Sequence, residues 1–247
     1  MKLSIITPSY NSATTISRTI ESVVAQNYSD LEYIIIDGAS KDNTADIVKS
    51  YQDKIKINFI SEPDNGIYDG MNKGIKIASG EVIGILNSDD VFFDNNVLNT
   101  VADAFVKEGV DFVYGDIKYF SDDINKTSRY WKTGEYNSLK LNNGWTIPHP
   151  ALFLRKEVYE KSGLYRDDFK IAGDYEFILR ILKKHNFNLK YIPQVFVKMF
   201  DGGVSGRNLK QRNRGWTELK KAWLVNGLKL PKFFILRRLI FKISQFI

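Results

Sequence analysis

Two aspartates, Asp89 and Asp90, stand side by side directly after the apolar run Val82-Ile83-Gly84-Ile85-Leu86. Adjacent carboxylates repel one another and resist desolvation unless a cation joins them. A cation held by carboxylates and water is Mg2+ or Mn2+, and a chain with no Cys and two His is poorly supplied for Zn2+. Such an ion would bridge two phosphates and neutralise a leaving diphosphate. The competing reading, a cap for the helix that starts near Asn95, uses one of the two carboxylates and leaves the other. Three more polar clusters close apolar runs: Thr7-Pro8-Ser9-Tyr10-Asn11, Asp37-Gly38-Ala39-Ser40-Lys41-Asp42 and Glu62-Pro63-Asp64-Asn65-Gly66. Any one of them suits a turn. Four in succession suggest a shared purpose, because open parallel sheets bind ligands beyond the carboxyl ends of their strands. A last carboxylate, Asp174, opens a helix in Phe169-Lys170-Ile171-Ala172-Gly173-Asp174-Tyr175-Glu176-Phe177. By residue type it is a helix cap or a general base.

The elements that must position these groups alternate short apolar runs with amphipathic stretches, the pattern of a mainly parallel α/β sheet with crossover helices. Strands are expected at Leu3–Thr7, Tyr33–Asp37, Ile57–Ser61, Val82–Leu86, Phe112–Gly115 and Leu189–Val197. Helices are expected from Asn11 or Ser12 to about Gln26, then at Thr44–Tyr51, Ile67–Ala78, Asn96–Lys107, Lys156–Lys161 and Tyr175–Lys184. Residues 118–150 read as irregular. After Gly203 two helices are expected, broken near Asn226-Gly227 and Pro231. The expected division is a catalytic domain over 1–206 and a basic helical tail over 207–247.

Composition narrows the classes. The 247 residues are 43% hydrophobic, enough for one large α/β domain. The net charge of +6 is uneven, since eleven Lys/Arg and one acid, Glu218, fall from Val204 onward, leaving an acidic body. An acidic body with a basic tail points to a tail that meets an anionic surface rather than to a nucleic-acid binder. In the tail, Phe233, Leu236, Ile240 and Ile243 share one helical face beside Lys232, Arg237, Arg238 and Lys242. A helix of this kind is expected to lie in a membrane interface, being too short and too charged to span it. Neither a signal peptide nor a membrane span is read. GxGxxG and GxxxxGK[ST] are absent, so dinucleotide and P-loop chemistry are unsupported.

The runs Ile5-Ile6-Thr7-Pro8-Ser9-Tyr10-Asn11, Ile36-Asp37-Gly38-Ala39-Ser40-Lys41-Asp42-Asn43-Thr44 and Leu86-Asn87-Ser88-Asp89-Asp90 together resemble the family 2 glycosyltransferases of the GT-A fold. The segment from Asp64 to Gly74 is similar to the subgroup found in bacterial O-antigen and capsule gene clusters. The resemblance spans residues 3 to about 205. It implies a GT-A-like α/β fold and transfer of a sugar, with inversion, from a nucleotide diphosphate donor. The donor expected is a UDP-hexose or UDP-N-acetylhexosamine. The acceptor expected is a glycan on a lipid carrier, for a surface polysaccharide, with the enzyme cytoplasmic and peripheral at the inner face of the membrane. A homo-oligomer is left open.

The resemblance also implies roles. Thr7, Pro8 and Tyr10 would line the nucleotide base, and Asp37 would accept the pyrimidine N3–H. Asn72 and Lys73 would contact the donor. Asp89 would bind Mn2+ or Mg2+ with help from Asp90, and Asp174 would be the base. His149 and Trp145 would border the acceptor, and Gly202–Gly206 would form a lid. Three positions depart from the family pattern: Asn87 replaces the first Asp of the DxD motif, Met71 an Arg, and Gly173 the Glu of a Glu-Asp pair. Rival readings are a thymidine or guanosine diphosphate donor and a retaining mechanism. From other classes come a nucleotidyltransferase, which lacks its Gly-rich triphosphate loop here, and a non-catalytic carbohydrate- or membrane-binding module, which leaves Asp37, Asp89 and Asp174 without a shared purpose.

Overall fold

The computed structural model describes residues 1–121, 123–202 and 209–243. Its first part is a β/α alternation: β1 (Leu3–Ser9), α1 (Ile16–Val24), β2 (Leu31–Asp37), α2 (Thr44–Ser50), β3 (Ile57–Ser61), α3 (Ile67–Ile77) and β4 (Val82–Ile85). All pairings within this part are parallel, in the order β3-β2-β1-β4. The helices form where apolar residues recur at helical spacing: Ile16, Ile20 and Val23 of α1 are buried, as are Tyr68, Met71 and Ile75 of α3.

The second part adds β5 (Val91–Phe92), α4 (Val97–Glu108), β6 (Phe112–Phe120), β7 (Arg129–Trp131), α5 (Ser138–Asn142), β8 (Leu152–Arg155), α6 (Lys156–Ser162), α7 (Gly173–Lys184) and β9 (Leu189–Phe200). Strand order continues β4-β8-β6-β9-β5, with β7 beside β6. Here β8 runs antiparallel to both β4 and β6, while β9 is parallel to β6 and antiparallel to β5. The expected parallel sheet is therefore mixed in its second half. Strands β5, β7 and β8 were not expected: two or three residues carry too little period, and Leu152–Arg155 runs straight into a helix. β6 extends beyond Gly115 because β9 and β7 pair with it as far as Phe120.

Two apolar layers cover the faces of the sheet. One gathers Ile6, Ile34 and Ile36 with α3, α7 and Trp145, the other Leu3, Ile5 and Ile35 with α1 and α4. Two helices follow, α8 (Leu209–Val225) and α9 (Phe234–Ile243). The boundary expected at 206/207 lies outside the described residues. The helices beyond it pack on the body rather than standing apart. Leu219, Ala222, Trp223 and Phe234 are buried in the first layer, and the Trp223 indole N–H donates to the Tyr175 hydroxyl at 2.9 Å. No helix among the described residues is long and apolar enough to cross a membrane.

Candidate active site

The loops after β1 and β2 are stitched to each other. Gly38 N–H donates to Ser9 O at 2.9 Å, Asn11 N–H to Ser40 Oγ at 2.8 Å and Lys41 N–H to Asn11 Oδ1 at 2.9 Å. The turns need left-handed backbone at Asn11 (φ 48°) and Ala39 (φ 57°), a conformation Asn tolerates and Ala disfavours. Asp37 sits at the centre, fully buried. Its carboxylate accepts from Ser9 Oγ, Ser40 N, Ser40 Oγ and Ser61 Oγ. Four donors fill the lone-pair sites of a carboxylate, so Asp37 organises the loops and turns no free lone pair toward a base. The N3–H contact expected of it would have to displace one of these donors. Thr7 is buried, and its hydroxyl pairs with Tyr33 in the second core layer. Pro8 is buried, while Tyr10 is 58% exposed and offers a ring for stacking.

Asp64 was not singled out from the sequence. Its Oδ1 accepts Gly66 N–H at 2.9 Å, and Oδ2 would lie 2.7 Å from a Cβ at Gly38 and 3.4 Å from one at Gly70. Gly38 thus leaves room for a half-buried carboxylate over the ends of β1 and β2. Its sequence signals were its place in a strand-end cluster, which any turn aspartate shares, and at the head of the Asp64–Gly74 segment, neither of which marks its carboxylate.

At the end of β4, helix α1 grips the Asp89-Asp90 turn. Arg18 Nη2 donates to Asp89 O at 3.1 Å, Thr19 Oγ1 to Asp90 O at 2.8 Å, and Ser12 Oγ meets Ser88 Oγ at 2.8 Å. Asp90 is buried, accepting Phe200 N–H at 3.0 Å and Asn87 Nδ2 at 3.0 Å. Burial and the neighbouring Asp89 charge push its carboxyl well above the usual range. Asp90 therefore ties the turn to the end of β9. A cation of the chain itself already sits beside the pair. The Arg18 guanidinium interacts electrostatically with both carboxylates and is flanked by Phe120 and Phe200, each 5.0 Å from the ring centroid.

Asn87 and Asp89 have side chains that suit a hard divalent cation. Asn87 Oδ1 is buried and lacks a hydrogen-bond partner, with the amide direction set by its Nδ2 donation to Asp90, and Asp89 is half-buried. A carboxylate and an amide oxygen are ligands suited to Mg2+ or Mn2+, the other positions falling to diphosphate and water. Among the described residues no group of three acidic, His or Cys side chains could hold an ion by itself.

Asp174 is half-exposed in the first turn of α7 and does not cap it. The N–H groups leading into that helix go instead to Glu218 of α8, which accepts from Lys170 at 3.1 Å, Ile171 at 2.8 Å and Ala172 at 2.9 Å. Burial alone would raise the Glu218 carboxyl, but these donors outweigh it and hold it below its usual value. Glu218 gave no signal in the sequence, standing as one acid in a basic tail. The Asp174 carboxylate takes a bond from Tyr68 Oη at 3.2 Å.

Four residues expected at the site sit among internal partners. Asn72 is buried and brackets Tyr165, donating to its carbonyl at 2.8 Å and accepting its N–H at 3.0 Å, so neither end of the amide is left for a donor. Lys73 pairs with Glu62 at 2.8 Å and donates to Pro63 O at 2.8 Å. Trp145 is core, 2% exposed, with its indole N–H on Thr133 O at 2.7 Å, and shows no face to a sugar. His149, expected to border the acceptor, is buried with Nε2 3.1 Å from Tyr165 Oη, and burial lowers its pKa against the pull of Asp174. The ring lies behind the site as a neutral imidazole. Of the expected lid, Gly202 is described and 203–206 lie outside the described residues.

Known proteins are similar to this chain. The family model "Glycosyl transferase family 2" matches residues 4–163, which hold the β1, β2 and β4 loops. A "PGL/p-HBAD biosynthesis glycosyltransferase" of Mycobacterium bovis (strain BCG / Pasteur 1173P2) is 28% identical over 207 residues, covering 82% of this chain and 78% of the relative. An uncharacterised glycosyltransferase of Mycobacterium tuberculosis (strain ATCC 25618 / H37Rv) is 36% identical over 184 residues, 72% of this chain and 68% of its own. Among solved structures, S. aureus TarS 1-349 in complex with UDP-GlcNAc superposes with a TM-score of 0.73 at 18% identity, covering 98% of this chain and 73% of that one. The mannosyltransferase PcManGT of Pyrobaculum calidifontis, in complex with GDP-Man and Mn2+, gives 0.68 at 16% identity over 99% and 70%. With its strand-end loops inside the family match and its fold shared with glycosyltransferases of known structure, the chain belongs to glycosyl transferase family 2 and has the GT-A fold.

Proposed function

We propose that this glycosyltransferase moves a hexose or N-acetylhexosamine from a UDP-sugar to a lipid-linked glycan acceptor of a bacterial surface polysaccharide, inverting the anomeric centre. The observation that carries the reading is the pair of half-exposed carboxylates, Asp89 after β4 and Asp174 at the start of α7, the latter free of any capping duty. In this reading Tyr10 stacks on the base and Asp64, rather than Asp37, accepts pyrimidine N3–H. A bound Mn2+ or Mg2+ supplies charge neutralisation at the leaving diphosphate, and Asn87 Oδ1 and Asp89 would hold it. Asp174 takes the proton from the acceptor hydroxyl as that oxygen bonds to the anomeric carbon and the bond from that carbon to the diphosphate oxygen breaks. The UDP-GlcNAc bound by TarS and the Mn2+ bound by PcManGT support the donor class and the metal.

The same reading places the enzyme at the inner face of the cytoplasmic membrane. Phe233, Leu236, Ile240 and Ile243 are 56–74% exposed on and beside α9, next to exposed Lys232 and Arg237. That surface suits an anionic interface, where each basic residue adds about 1 kcal/mol. Because Phe234 is buried, the test is Leu236→Glu/Ile240→Glu rather than truncation: co-sedimentation with anionic liposomes should be lost while UDP binding stays. The donor and metal assignments are tested by calorimetry of UDP and ADP with and without Mn2+. UDP should bind more tightly, Asp64→Ala should narrow the gap, and Asp89→Ala should abolish the Mn2+ contribution. An unchanged Mn2+ contribution in Asp89→Ala removes Asp89 from the metal site.

A further inference from the structure

Tyr68 stands in the first turn of α3, and its phenol reaches across to the start of α7, 106 residues later, donating to Asp174 Oδ1 at 3.2 Å. The approach depends on the residue before Asp174. A Cβ at Gly173 would fall 2.7 Å from Tyr68 Cε2 and 2.9 Å from Cδ2 and Cζ, inside van der Waals contact with a ring that cannot flex away. The phenol takes the space that any side chain at position 173 would need.

The ring is fixed from behind. It stacks on Tyr165 with centroids 5.9 Å apart and planes at 20°. Tyr165 is bracketed by the Asn72 amide one helical turn beyond Tyr68, and its hydroxyl meets His149 Nε2. Asn72 and His149, expected to touch substrates, thus form the backing of this ring. Burial first, and the Asp174 charge second, push the Tyr68 phenol well above its usual pKa, so it keeps its proton as a donor.

Resting on the reading of Asp174 as the base, we propose that Tyr68 is a positioning residue for this reaction: its O–H holds Asp174 Oδ1, leaving Oδ2 to take the acceptor proton, and Gly173 is small to let it do so. A hydrogen bond to one carboxylate oxygen fixes the rotamer of the group, and misplacing a catalytic group by about 1 Å costs up to roughly a hundredfold in rate.

The probe is the slow hydrolysis of UDP-GlcNAc in Mn2+, with water standing in for the acceptor hydroxyl, measured for Tyr68→Phe, Gly173→Ala, Asp174→Asn and the Tyr68→Phe/Asp174→Asn double variant. Asp174→Asn should lose about a hundredfold or more in kcat. Tyr68→Phe should lose about ten- to a hundredfold in kcat with KM and calorimetric UDP affinity unchanged. In the Asp174→Asn background Tyr68→Phe should cost nothing further, because a residue that acts through another is silent once that partner is gone. Gly173→Ala keeps the hydroxyl but displaces the ring, and should reproduce the kcat loss even if Tyr68→Phe folds poorly. Full activity in Tyr68→Phe and Gly173→Ala beside an inactive Asp174→Asn overturns the positioning role and leaves the base in place. Equal losses from Tyr68→Phe in both backgrounds overturn it too, making the effect structural. Full hydrolysis by Asp174→Asn overturns the base itself.

Discussion

Asp37 and Glu218 are both buried carboxylates that gather N–H donors, Asp37 adding three serine hydroxyls, and each organises one half of the candidate site. Asp37 draws its partners from Ser40, three residues on, and from Ser9 and Ser61, 28 and 24 residues away at the ends of the neighbouring parallel strands. Glu218 draws its partners from Lys170, Ile171 and Ala172, 46–48 residues back, and is itself braced by Arg214 at 3.0 Å. The donor half is thus built from adjacent β/α units whose loops carry their own hydrogen-bonding residues. The acceptor half is closed by a carboxylate from a helix that looks, in sequence, like part of a basic appendage. The comparison teaches that a charge pattern reports the solvent-facing side of a helix and is silent about the single residue it turns inward.

The largest effect should come from Glu218→Ala. It strips three N–H groups of their acceptor, while the half-exposed Arg214 guanidinium is left to solvent, and each buried donor left unsatisfied costs about 1–3 kcal/mol. Scanning calorimetry should show a melting point lower by about 10 °C. A melt within a degree of wild type would mean that α8 is dispensable and the contrast between the halves is false.

A lesser loss is expected from Asp37→Asn, which keeps the volume but aims an amide at hydroxyl and N–H donors. An unsatisfied buried pair costs about 1–3 kcal/mol, visible in urea unfolding. If Asp37→Asn equals or exceeds Glu218→Ala, the donor half is the more fragile one.

Acid should weaken both halves. Glu32, beside Lys2, Ser4 and Ser79, is held down to about 2 from 4.5: burial opposes the shift, and these donors outweigh it. Glu218 is depressed as well. Carboxyls lowered in the folded state contribute stability above their unfolded value and lose it as pH falls through the folded value. The melting point should therefore fall as pH is lowered from about 4.5 toward about 2. Glu32→Gln and Glu218→Gln should each flatten that slope, and parallel slopes in all three proteins would contradict the assignment.

The smallest effect belongs to Ala39. A left-handed Ala carries a strain of about 1 kcal/mol that Gly does not, so Ala39→Gly should stabilise the β2 loop by under about 1 kcal/mol. A drop in the melting point would mean that the methyl group packs usefully.

The donor half was largely legible. β1 to β4, with the helices between them, lie within a few residues of their expected bounds, because periodic apolar residues report burial and Gly, Asn and Asp report the turns. The β5, β7 and β8 strands were not legible, since their pairings join residues far apart and the runs are short. At the site, Asp174 and Asp89 stand out as carboxylates beside recognisable elements. The burial of Asn72, Trp145 and His149 was not legible, because an amide, an indole or an imidazole has the same sequence whether it faces a ligand or the back of a tyrosine.

What the sequence by itself determined is the class of fold and the chemistry on offer: parallel β/α units, hard oxygen ligands after β4, a carboxylate opening α7, and no thiols. Periodicity and residue type are local properties, and these features are local. What only the tertiary structure decided is which polar groups are used up internally and which are left over. Asp37 and Asp90 spend their lone pairs on neighbouring loops, whereas Asp64 keeps an oxygen without a hydrogen bond over the strand ends. Glu218 relieves Asp174 of the helix cap, and Gly173 admits the phenol that holds it. A donor or acceptor is satisfied by whichever partner comes within about 3 Å of it, and that distance is a property of the folded chain alone.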